Sequence, residues 1–183
     1  MSDLVSAALR ADRGGAIVCV PEVLYGSSVL SGLEERFGDV ARVDSNVSDQ
    51  QRSRALMRLV RGHRLGAGGR GAVLAPVTDL RLIVLDEEHH STYKEDQSPR
   101  YDARKVAIER ARLQGAVCVL MSSTPTVETG AAAQQGEFGS VTPSHGSARS
   151  SDPSSRPTPC AQNAAKSGGT GARSTARTIC AQE

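Results

Sequence analysis

Leu80–His90 reads LRLIVLDEEHH, and the fold of the chain turns on it. Leu82, Ile83, Val84 and Leu85 form an unbroken apolar run of strand length, as expected for a strand covered on both faces of a parallel sheet. Three carboxylates and two histidines follow at once, so polar chemistry begins where the strand ends. In open α/β sheets that carboxyl edge is where ligands sit, because loops there present side chains to a crevice while the sheet stays rigid. An aspartate at a strand tip with a glutamate beside it suits a hydrated magnesium ion carrying phosphate. Asp86 would hold the ion's water shell, and Glu87 would polarise an attacking water. The plainer alternative is an acidic turn after a core strand.

Working outward, the same grammar repeats. Asp3–Arg13 reads as a helix closed by Gly14-Gly15, and Ala16–Val20 as a second buried strand, with Pro21-Glu22 at its carboxyl end. Val29, Leu30, Leu33 and Phe37 fall on one helical face, which Gly38 would cap; Val40–Val43 is a short strand candidate. Ser48-Asp49-Gln50-Gln51 is a capping box that starts a helix through Leu56, Leu59 and Val60. The outer face of that helix and the turn after it carry Arg52, Arg54, Arg58, Arg61 and Arg64, a solvated charged face or a track for phosphates. Gly62–Gly71 has few strand formers and is expected to be a loop or a poorly formed strand.

Beyond the acidic box, Ser91–Tyr101 is a polar loop with two of the three tyrosines of the chain, followed by a helix from about Ala103 to Leu113 that Gly115 stops. Ala116–Met121 is a third buried strand, ending in Ser122-Ser123-Thr124-Pro125-Thr126. Alternating strand, polar tip and helix predict an α/β fold, a parallel sheet flanked by helices. From about Gly139, Ser, Pro, Gly, Thr and Ala dominate; residues 139–183 are expected to form a disordered low-complexity tail after a domain at 1–138. Lys166–Gly171 holds the letters of a phosphate loop in the wrong order and with no strand before it.

Composition narrows the function classes. With 183 residues and 38% apolar content the chain can bury one core, and a net charge of +2 is too small to argue for nucleic acid on bulk charge. No apolar run is long enough for a membrane helix and the start lacks a secretory signal's apolar centre, so a cytoplasmic protein is expected. Cys19 and Cys118 lie in apolar strands and read as buried inert thiols; Cys160 and Cys180 stand far apart, with no zinc-ligand spacing.

Asp86-Glu87-Glu88-His89 is similar to the acidic box of helicases with two RecA-like lobes. With Val20-Pro21-Glu22, Tyr93-Lys94, Pro99-Arg100-Tyr101, Ala103-Arg104 and Ser122–Thr129, the chain from about Val18 to Thr129 resembles the primosomal protein N′ family, replication restart DNA helicases of bacteria. The resemblance implies a RecA-like, P-loop NTPase lobe, ATP and magnesium as cofactors, DNA as partner, single-stranded or forked, and other primosome or replication proteins nearby. It assigns the catalytic carboxylate box to Asp86, Glu87, Glu88 and His89, and coupling of nucleotide state to DNA to Ser122, Ser123 and Thr124. DNA contacts fall to Pro21, Glu22, Arg70, Tyr93, Lys94, Arg100 and Tyr101. Tyrosine rings offer a stacking face to any base while Lys and Arg follow phosphates, although packing under the loop is the alternative for Tyr93 and Tyr101.

The departures bear on activity. No Gly-x-x-x-x-Gly-Lys-Thr loop occurs in the sequence, and Gly69 and Gly71 flank Arg70 where the family has hydroxyl residues. Without that backbone cradle and lysine, triphosphate affinity is expected to be lost or very weak, and the chain is expected to be an incomplete first helicase lobe, not competent alone. Two other readings stay open: a noncatalytic single-stranded DNA-binding or partner-binding module, and a metal-dependent hydrolase using Asp86, Glu88, His89 and His90. Neighbouring residues at a strand end point in alternating directions, which weighs against the hydrolase.

Overall fold

The computed structural model describes residues 1–10, 14–21, 28–141 and, for the backbone only, 178–181. Helix α1 (Ser2–Arg10) leads to strand β1 (Gly15–Cys19), α2 (Ser28–Phe37), β2 (Ala41–Arg42), α3 (Asp49–Val60) and β3 (Leu65–Gly68). A 3-10 turn at Arg70–Leu74 then precedes β4 (Leu80–Leu85). After a second 3-10 turn at Ser91–Tyr93 come the short strands β5 (Lys94–Glu95) and β6 (Tyr101–Asp102), α4 (Ala103–Gln114), β7 (Val117–Met121), α5 (Val127–Gln134), β8 (Gly139–Val141) and β9 (Thr178–Ala181). The main sheet is parallel throughout, in the order β2-β3-β1-β4-β7-β9-β8; β5 and β6 form an antiparallel pair of their own. The expected parallel α/β sheet is therefore present.

Alternation along the strands divides the core. Ile17, Cys19, Ile83, Leu85, Cys118 and Leu120 pack on one face with Ala55 and Leu59 of α3 and Ala107 and Ala111 of α4. Ala16, Val18, Val20, Leu82, Val84, Val119 and Met121 pack on the other with Val5 of α1 and Leu30 and Leu33 of α2. Covering both faces is what makes β1 and β4 read as continuous apolar runs. The capping box forms as expected: Gln51 N–H donates to Ser48 Oγ at 3.3 Å, and Ser48 N–H to Gln51 Oε1 at 3.0 Å.

For Gly62–Gly71 the strand alternative is the one present, since Leu65–Gly68 is a fully buried strand between β1 and β2. Its glycines are there for space: a Cβ on Gly68 would lie 2.2 Å from the Val43 carbonyl oxygen, so only glycine lets the backbone after β2 pass this closely. Past residue 138, β9 and β8 continue the sheet beyond β7. Pairing there satisfies backbone groups that β7 would otherwise present at an open edge. Residues 142–177, with Lys166–Gly171 and Cys160 among them, lie outside the described residues.

Candidate functional site

The carboxyl ends of β1, β4 and β7 are stitched into one rim by backbone bonds, Asp86 N–H to the Cys19 carbonyl at 2.9 Å and Glu88 N–H to the Met121 carbonyl at 2.8 Å. The acidic box thus stands between Pro21 and Ser122, the rim residues of its two neighbouring strands. Its members do not share an environment. Asp86 is half-buried, Glu87 is exposed, Glu88 is 0% exposed, and His89 and His90 are half-buried. Glu87 turns outward through a left-handed backbone (φ 45°), a conformation that costs a non-glycine residue about 1 kcal/mol.

Glu88 faces away from the rim. Its carboxylate accepts from the Thr126 N–H at 2.7 Å and from the Thr126 and Thr129 hydroxyls at 3.3 Å each, with the Arg104 guanidinium 3.8 Å away. Thr126 is the N-cap of α5, so Glu88 anchors the start of the helix that follows the Ser122–Thr124 segment. His89 makes a parallel link, its Nδ1 lying 2.7 Å from Ser122 Oγ, which also accepts the Thr124 N–H at 3.1 Å. Ser122 is buried; Ser123 and Thr124 are exposed. The box and the Ser-Ser-Thr segment are therefore joined twice, through Glu88 and through His89.

Tyr93 corrects its sequence assignment. Its side chain is 0% exposed and its hydroxyl donates to the Asp86 carbonyl at 2.6 Å and the Cys19 carbonyl at 3.0 Å. Burial pushes that hydroxyl's pKa up, and a ring so enclosed cannot stack on a base. It is a strut beneath the tips of β1 and β4. Thr92 completes the support: its hydroxyl donates to the Pro21 carbonyl at 3.1 Å.

Next to the box, over the ends of β1, β2 and β3, lies a groove of about 560 Å³. Pro21, Arg52, Arg70 and Tyr101 line it, with Asp44, Glu95 and Thr92. Arg70 is ion-paired with Glu95 and donates to the Thr92 carbonyl at 3.3 Å. Burial pushes the half-buried Tyr101 hydroxyl up in pKa, opposed by Arg70. Asp44 is turned inward to Arg42 at 3.0 Å. Exposed Lys94 lines a different recess beside α4 and α5, and exposed Arg100 donates to the Asp96 carbonyl at 3.0 Å, so neither joins the groove. Glu22 lies outside the described residues.

Arg104 was missed as a contributor. It donates twice to Asp102, at 2.7 and 2.9 Å, and to the Glu88 carbonyl at 3.1 Å, joining the groove's β6 wall to the box. Its sequence signal is slight, an Asp-x-Arg pair at a helix start. Among the described residues no group of three or more His, Cys, Asp and Glu side chains is arranged to hold a metal, so the hydrolase reading gains no support. No described helix is long and apolar enough to cross a membrane.

No protein-family model matches the chain. Over 125 residues it is 40% identical to the replication restart protein PriA of Bacillus subtilis (strain 168), an alignment covering 67% of this chain and 16% of that protein. It is 38% identical over 125 residues to PriA of Chlamydia pneumoniae, covering 67% of the chain and 17% of the relative. For PriA of Treponema pallidum (strain Nichols) the figure is 39% over 119 residues, covering 63% and 18%. The chain spans about a sixth of the length of these curated relatives.

Proposed function

From a chain whose similarity to the PriA replication restart proteins runs through two thirds of its length, we propose a DNA-tracking, magnesium-facing part of a RecA-like helicase lobe. The observation behind this reading is the groove of Pro21, Arg52, Arg70 and Tyr101 standing beside the Asp86–His89 box on the same sheet edge, with the box bonded to Ser122. Tyr101 offers a ring to a base, while Arg52 and Arg70 offer guanidinium donors to the phosphates on either side.

The donor set at the tip of β4 fits magnesium, a hard cation bound by carboxylate oxygen and water. Asp86 would hold it, and a bound ion would neutralise charge on phosphate oxygens. Glu87, exposed beside Asp86, would orient a water. His89 and Ser122 then transmit displacement of the box to Thr124, and Glu88 carries it to α5. ATP turnover is not expected of these residues by themselves, because no glycine-rich lysine loop occurs in the sequence to hold the triphosphate. That same feature favours a second reading, a noncatalytic single-stranded DNA-binding module on the same groove.

Fluorescence anisotropy with a labelled single-stranded oligonucleotide tests the shared claim. Binding is expected to weaken steeply with salt and to fall on Tyr101→Ala. No binding at low salt defeats both readings. A change in DNA affinity on adding MgATP would favour the helicase reading and overturn the expectation of nucleotide incompetence.

A further inference from the structure

At the opposite, amino edge of the sheet the ends of α1, α2 and α3 converge on a cavity of about 620 Å³. Its walls carry Arg10, Arg36, Arg64 and His63 over an apolar floor that includes Leu9 and Phe37. We propose that this cavity binds phosphate groups, separately from the carboxyl-edge groove.

The case rests on an excess of donors. A guanidinium has five N–H donors and no acceptor. Arg10 spends Nε on the Ser6 carbonyl at 3.2 Å, Arg36 spends Nη2 on Asp3 at 2.7 Å, and Arg64 spends Nη1 on the Leu9 carbonyl at 2.9 Å. Capping helix carbonyls explains two of those bonds and leaves most of the donors of all three arginines for a ligand. The one carboxylate among the described wall residues, Asp39, is ion-paired with Arg58 and lies 3.7 Å from His63 Nδ1.

His63 adds an independent sign. Arg58 Nη2 lies 3.4 Å from its Nδ1 and the Asp39 carboxylate 3.7 Å from it, so the Nδ1 side of the ring is already engaged. The ring's Nε2 is buried without a hydrogen-bond partner, the one such side-chain atom among the described residues. A buried ring nitrogen lacking a partner is costly, and such sites mark places where a group from outside belongs. Three guanidinium groups from three parts of the chain, with this ring nitrogen beside them, suit a ligand with several oxygens. Phosphate has that chemistry, and its fork matches arginine.

The test follows the His63 ring and the amides of Gly62–Leu65 by NMR in the full chain while inorganic pyrophosphate is added at low salt. Saturable shifts are expected there, weakened at least tenfold in Arg36→Gln and in Arg10→Gln, the latter a side chain that bonds only within its own helix. Arg52→Gln, in the other groove, should leave them unchanged. No shift at about millimolar pyrophosphate overturns the proposal, as does equal weakening by Arg52→Gln, which would mean diffuse charge attraction. A short single-stranded oligonucleotide then assigns the source: displacement of pyrophosphate points to the DNA backbone, and its failure to displace points to free phosphate compounds. Either result retains the site. Because Tyr101→Ala affects only the carboxyl-edge groove, loss of DNA binding there and loss of phosphate binding here are separable.

Discussion

Between Asp86 and Asp102 the chain makes two surfaces from the same residue types. Glu88 and Tyr93 face inward at 0% exposure, while Glu87 faces water and Tyr101 lines the groove. Adjacent glutamates and two tyrosines of one loop thus serve opposite ends, one holding the rim together and the other open to solvent. Residue type alone does not mark a functional side chain; its direction does. Substituting the inward pair should cost stability; of the outward pair, substituting Tyr101 should cost DNA binding and substituting Glu87, in the absence of nucleotide, should cost neither.

The largest effect is expected at Tyr93. Tyr93→Ala empties a core site of its ring and should destabilise the chain by about 3–5 kcal/mol, read from urea denaturation. Tyr93→Phe keeps the ring and loses only the bond to the Asp86 and Cys19 carbonyls, about 1 kcal/mol. Equal loss in the two variants would show that the hydroxyl, rather than packing, holds the rim. Glu88→Ala should follow at about 3 kcal/mol, because it strands the Thr126 N–H and two hydroxyls inside the protein beside Arg104. A Glu88→Ala chain as stable as the parent would dissolve the distinction between the two glutamates.

On the outward side Tyr101→Ala should leave stability within about 1 kcal/mol while weakening single-stranded DNA by about 1–3 kcal/mol, the value of one stacked base. Glu87→Gln should change neither stability nor DNA affinity in the absence of nucleotide. Were Tyr93→Ala to abolish DNA binding in chain that is still folded, the inward assignment would fail.

What the sequence made legible follows from what periodicity can carry. Apolar runs at Ile17–Val20 and Ile83–Leu85 reveal strands covered on both sides, and Ser48-x-x-Gln51 reveals a helix start, because these are local signals. Leu65–Gly68 was legible only as a loop or a poorly formed strand, because the reason for its glycines is the Val43 backbone, more than twenty residues away in sequence. The acidic box was legible as a unit, but not the inward turn of Glu88, whose partners Thr126 and Thr129, at the start of α5, lie 38 and 41 residues further along the chain. Tyr93 and Tyr101 were alike in sequence, and only the carbonyls of Cys19 and Asp86 separate them. The basic face of α3 was legible as charge, but the structure divides it: Arg52, ion-paired with Asp49, lines the groove, while Arg58 is ion-paired with Asp39.

The smallest expected effect tests the residue joining the two surfaces. Arg104 holds Glu88 on the inward side and Asp102, next to Tyr101, on the outward side. Burial pushes the Asp102 carboxyl up, yet the Arg104 side-chain and backbone hydrogen bonds outweigh it and hold the group below the usual carboxylate range. A carboxyl whose folded value is depressed adds stability above its unfolded value, near pH 4, and that contribution disappears as pH falls through the folded value. The pair is partly open to solvent, so about 0.5 kcal/mol is at stake. Asp102→Asn should therefore lower stability slightly at pH 7, leave it unchanged near pH 2, and flatten the acid limb of the stability curve between them. A difference from the parent that is the same at both pH values would show that Asp102 acts only as the cap of α4, through its bond to the Arg104 N–H, and not as the charge that ties the groove to the box.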